Sequence, residues 1–75
     1  MKVNGTIRLR WWVRGRAKYK YFSPDEIMDF LNITRKLMGR YHVKFDVYWN
    51  GTWHPCHTIT DVKNDLRKIL RRECE

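Results

Sequence analysis

The sequence predicts an α+β fold: a four-stranded antiparallel sheet with two helices on one face, in the order β-β-α-β-β-α. Three observations carry that expectation. Apolar and polar residues alternate through residues 6–14 and again through 41–49. Each alternating stretch runs through a glycine-containing turn into a second short strand. Each hairpin is then followed by apolar residues at helical spacing. The pattern is hairpin, helix, hairpin, helix over 6–22, 23–39, 41–58 and 60–73. With 75 residues, a single domain over 1–75 is expected, of a size that buries a limited core.

In the first hairpin, Ile7, Leu9, Trp11 and Val13 share one side, and Arg8, Arg10, Trp12 and Arg14 the other. Two registers compete for its second strand, Ala17–Phe22. A two-residue turn at Arg14-Gly15 pairs Val13 with Arg16 and Trp11 with Lys18, which mixes apolar and charged residues on each face. A three-residue loop, Arg14-Gly15-Arg16, pairs Val13 with Ala17, Trp11 with Tyr19 and Leu9 with Tyr21. It gathers the apolar residues on one face and is expected on that ground. The other face then shows Arg8, Arg10, Trp12, Lys18, Lys20 and Phe22, with Arg10 opposite Lys20.

The segment "SPDEIMDFLNITRKLMGR" reads as a capped helix. Ser23 is the N-cap, Pro24 takes the first helical position and Glu26 completes a capping box. Asp25 and Glu26 complement the helix start, and Arg35 and Lys36 its end. Ile27, Phe30, Leu31, Thr34, Leu37 and Met38 form the inner stripe, and Gly39 ends it.

In "YHVKFDVYWNGTWHPCHT", Asn50-Gly51 is a strong hairpin signal. Tyr41, Val43, Phe45, Val47 and Trp49 face inward; His42, Lys44, Asp46 and Tyr48 face out. A two-residue turn sets Tyr48 opposite Trp53 and Phe45 opposite Cys56. Pro55 marks an edge strand. The last helix, 60–73, has Ile59, Val62, Leu66, Ile69 and Leu70 as its inner stripe, and Arg67, Lys68, Arg71 and Arg72 toward solvent.

Charge is distributed unevenly. Seven of the sixteen Lys and Arg residues, and none of the eight acids, fall within residues 1–22. One cationic element on a chain otherwise near balance points to a local site for an anionic partner. Like charges paired across a sheet are unfavourable, so stability does not account for the pattern. Arginine among exposed aromatics suits nucleic acid, since cations neutralise phosphates and ring faces stack on bases. The expected site is Arg8, Arg10, Arg14, Arg16, Lys18 and Lys20 for phosphates, with Trp12, Tyr48 and Trp53 as stacking rings. The partner is DNA or RNA, or else an acidic protein surface. A homodimer through the open face would compete for the same residues.

Other chemistries have less support. "HPCH" lacks the spacing of a zinc site, and Cys56 reads as a small buried residue; a Cys56–Cys74 disulfide is the alternative. Asp46 has no second carboxylate predictably near it, and no phosphate loop or nucleophile motif is present. A non-enzymatic chain without cofactor is expected. No stretch has the length of a membrane span or the form of a signal peptide, and a cytoplasmic location follows as an expectation. The Asn-x-Thr triplets at Asn4 and Asn50 read as turns.

Over residues 6–38, the hairpin running through "KYKYFSPDEIMDFL" into a capped helix resembles the sheet-plus-helix DNA-binding arms of phage integrases. It is one strand short of their usual three, and no residue diagnostic of that family is present. The small, motif-poor chain is also similar to phage-encoded inhibitors, including anti-CRISPR proteins. That likeness implies the alternative reading, an inhibitor or adaptor docking its basic face on an acidic surface of a host enzyme.

Overall fold

The computed structural model describes residues 3–74, with side chains over 3–71. Strands β1 (Thr6–Val13) and β2 (Arg16–Phe22) form the first hairpin. A 3-10 turn (Pro24–Glu26) leads into α1 (Ile27–Met38), followed by β3 (Val43–Trp49), β4 (Thr52–Cys56) and α2 (Ile59–Cys74). The four strands make one antiparallel sheet in the order β2-β1-β3-β4. Pro55 accordingly lies on an edge strand, where its missing N–H breaks no ladder.

One face of the sheet carries the core. Ile7, Leu9, Phe45, Val47 and Cys56 meet Phe30, Leu31, Val62, Leu66 and Ile69 from the two helices. Phe30 stands edge-on to Phe22 at 5.6 Å and to Phe45 at 5.8 Å, the arrangement that opposed ring quadrupoles favour. Both helical stripes are narrower than their periodicity predicts. Met38 and Leu70 are about half exposed, because each lies toward the end of its helix and off the seam that meets the sheet.

Both helix starts are closed by side chains. The Ser23 N–H donates to the Glu26 carboxylate at 2.9 Å, while the Glu26 N–H donates to the Ser23 carbonyl at 2.9 Å. The Ser23 N–H first, then the Ser23 hydroxyl, hold the Glu26 carboxyl below its ordinary value; the same hydroxyl lowers Asp25. At α2, Thr58 Oγ1 accepts from the Asp61 N–H, and Asp61 accepts from the His57 and Thr58 N–H groups. Thr58-x-x-Asp61 is thus a second capping box, one that moves the helix start to Ile59.

The first hairpin takes the two-residue turn, not the three-residue loop. Arg14 and Gly15 have φ of 51° and 77°, the left-handed pair of a type I′ turn. Val13 therefore faces Arg16, Trp11 faces Lys18, Leu9 faces Lys20 and Ile7 faces Phe22. Phe22 enters the core, while Tyr19 and Tyr21 lie on the open face. The apolar-sorting argument fails for a physical reason. β2 is an edge strand, and every residue from Arg16 to Tyr21 is exposed on whichever face it points to. Burial therefore does not discriminate between registers there, and the turn geometry does. The second hairpin, with Asn50 and Gly51 at φ of 53° and 79°, has the expected register.

Candidate functional site

The open face is organised around Asp46. β3 lies between β1 and β4, and its register sets Asp46 beside Arg8 on one side and Pro55 on the other. Asp46 is 3% exposed. Its Oδ2 lies 3.1 Å from Arg8 Nε and 3.0 Å from Arg10 Nε, and Oδ1 accepts from Arg10 Nη2 at 3.4 Å. The Arg10 Nε contact is an ion pair without hydrogen-bond alignment. A buried carboxylate requires such compensation.

Aromatic rings close over this cluster. The Arg8 guanidinium lies 4.4 Å from the centre of the Trp53 ring. Trp53 in turn meets Tyr48 at 5.3 Å and Tyr21 at 6.0 Å. Tyr48 and Trp53, expected as stacking rings, are thus packed against their neighbours. Arg8 and Arg10, expected to hold phosphates, are held by Asp46. Two guanidinium groups share one carboxylate, so the trio keeps one net positive charge.

The remaining cations of the hairpin are placed differently. β1 pairs with β3 only as far as Trp11, opposite Val43. Beyond that point Trp12 and Val13 pair with β2 alone, and the chain continues as a two-stranded ribbon to the Arg14-Gly15 turn. Arg14, Arg16, Lys18 and Lys20 are all exposed. Lys18 and Lys20 lie on the helix side of the sheet, not the open side, because of the two-residue turn. Lys20 shares a cleft with Glu26 and Asp29. Arg14, Arg16 and Lys18 have no ion pair among the described residues. Trp12 is half-buried at the base of the ribbon, with His42 at 5.8 Å and Lys44 Nζ at 5.8 Å from its ring.

The "HPCH" segment is divided between environments. His54 stacks on Trp49 with ring centres 3.9 Å apart, and its Nε2 lies 3.1 Å from the Trp49 carbonyl oxygen. Cys56 is buried and donates to the Asp65 carboxylate at 3.3 Å; burial first, then Asp65, pushes its thiol up to about 12. His57 is exposed beyond the strand end. Among the described residues no three His, Cys, Asp or Glu side chains gather as a metal site. The Cys74 and Arg72 side chains lie outside the described residues, and the Cys56–Cys74 pairing with them. No described helix is long and apolar enough to cross a membrane.

Sequence reasoning missed Asp46 as the centre of the open face. Its alternation with Lys44 and Tyr48 places it there, but only the β1–β3 pairing brings both arginines to it. The three-residue register sets Tyr19 and Tyr21 on the core face; the two-residue turn sets them on the open face beside Arg10 and Arg8. The chain matches no family model, and no curated protein or solved structure matches it either.

Proposed function

We propose that this chain is a small nucleic-acid-binding module whose main contact element is the β1–β2 ribbon. One observation carries the reading: Arg14, Arg16 and Lys18 stand exposed, without an acidic partner among the described residues, on an element that contains no acid. Cations left unpaired on a protruding edge are available to phosphates. A two-stranded ribbon is also an element that the major groove of a duplex admits. Trp12, on its open side, and Tyr19, on the same face of the adjoining sheet, supply ring faces for a base or sugar edge. Arg8 and Arg10 play a supporting role, since Asp46 already holds them.

Binding of labelled DNA and RNA, followed by anisotropy across a salt series, tests this reading. Three or four engaged phosphates give a log–log slope of about −3 to −4 on duplex DNA, and a shallower one on single strands. Replacing Arg16 and Lys18 together by Gln should weaken all sequences about equally and reduce the slope by roughly 2. Unchanged affinity in that double variant overturns the ribbon as the contact element.

Exposed Tyr19 and Tyr21 beside arginine favour a second reading, an inhibitor or adaptor docking on an acidic protein surface. Binding seen only at low salt and alike for every nucleic acid would favour it. So would recovery of one stoichiometric, nuclease-resistant protein partner.

A further inference from the structure

A second basic feature lies where β4 ends. Strand β4 stops at Cys56, opposite Phe45, so the start of β3 runs on without a neighbour on that side. The gap is a cleft of about 260 Å³ whose lining includes Arg10, His42, Lys44, Pro55 and His57. Among the described residues, four basic side chains and no carboxylate line it. We infer that this cleft is an anion site that takes a phosphate group.

The nearby acids among the described residues are accounted for. Asp46 is engaged by Arg8 and Arg10 and leaves that trio with one net positive charge. Asp61 accepts two backbone N–H groups at the start of α2, and Asp65 accepts the Cys56 thiol. Lys44 is exposed, and its ammonium group is 5.8 Å from the Trp12 ring centre. The rings of His42 and His57 make no hydrogen bond among the described residues. Each has an N–H to donate whether neutral or charged. The donors therefore suit a compact oxyanion with several acceptor oxygens: a mobile ammonium from Lys44 and two imidazole N–H groups, beside the net positive charge that Arg10 shares with Arg8 and Asp46. The same set disfavours a metal ion, because Arg10 and Lys44 repel it.

The phosphate has two sources with one chemistry, free phosphate or the terminal phosphate of an oligonucleotide. The test uses isotope-labelled protein followed by NMR, first with inorganic phosphate, then with one oligonucleotide in 5′-phosphorylated and 5′-hydroxyl forms. The expected result is saturable movement of His42, Lys44 and His57 signals with inorganic phosphate, lost in Lys44→Gln/His57→Gln. A strand-end source adds an affinity gain of about five-fold for the phosphorylated oligonucleotide, the size of one charged hydrogen bond reduced by exposure. Saturation by phosphate without that gain assigns the site to free phosphate. The Arg16→Gln/Lys18→Gln variant should bind inorganic phosphate as the unaltered protein does, which separates failure of the ribbon from failure of the cleft. Movement that is linear and unsaturated, or unchanged in Lys44→Gln/His57→Gln, overturns the site.

Discussion

Replacing Asp46 by Asn keeps the side chain's shape and removes its charge. Two guanidinium groups then share a buried site with no counter-ion. Breaking a fully buried ion pair from one side costs about 3–5 kcal/mol. Here the Arg8 and Arg10 side chains are 21% and 27% exposed, so water recovers part of that loss. The amide oxygen also still accepts one hydrogen bond. A loss of about 2 kcal/mol remains, which for a domain of this size lowers Tm by roughly 8–16 °C. Thermal and urea unfolding by circular dichroism would read it. The Arg8→Met change should then cost less in the Asp46→Asn background than in the unaltered protein, by about 1 kcal/mol, since the two changes remove one shared contact. A Tm within about 2 °C of the unaltered protein, or strict additivity of the two changes, would refute Asp46 as the organising group.

Three further outcomes follow from the packing. Gly5 is buried with φ of +93°, donates its N–H to the Tyr48 carbonyl at 2.7 Å, and leaves no room for a Cβ, which would sit 2.7 Å from Pro24 Cγ. Gly5→Ala should therefore cost more than the roughly 1–2 kcal/mol of left-handed strain alone, whereas Gly15→Ala, with open space around it, should cost only that strain; equal losses in urea unfolding would contradict the Pro24 contact. Thr34 is fully buried and its hydroxyl has no hydrogen-bond partner among the described residues, so Thr34→Val should raise stability by about 1 kcal/mol, and a loss of that size would show that the hydroxyl is satisfied. The Cys56 thiol, pushed up to about 12, should resist alkylation near pH 8 until the chain unfolds, with peptide mapping to separate it from Cys74. The folded state holds this proton more tightly than the unfolded state. The stabilisation is therefore complete below the ordinary thiol value of about 9 and is lost as pH rises from there toward about 12; fast alkylation of the native protein would place the thiol in solvent.

Much of the architecture was legible along the chain because its signals are local. The capping box at Ser23 and the Asn50-Gly51 turn each act within four residues. The alternation in the strands that became β1 and β3 reports burial on a face that helices cover. The same alternation misled at β2, where solvent reaches both faces and hydrophobic sorting loses its force. The Arg14-Gly15 turn carried the correct register, but a pattern of charged and apolar residues outweighed it in the sequence reading. Thr58 and Asp61 were a readable cap that the helical periodicity alone did not reveal.

The sequence by itself determined the order of elements, the two hairpins, the helix faces and a cationic first hairpin. Those follow from side-chain period, turn residues and charge, all properties of neighbours in the chain. Only the tertiary structure decided which cations remain available. Residues 38 and 36 positions apart, Arg8 and Arg10, meet Asp46 because β3 pairs with β1, and that contact withdraws two of the expected phosphate ligands. It likewise decided that Trp53 covers an arginine, and that His42, Lys44 and His57 share a cleft where β4 runs out. Charge can be counted along a chain, but its availability depends on which distant residues the fold places beside it.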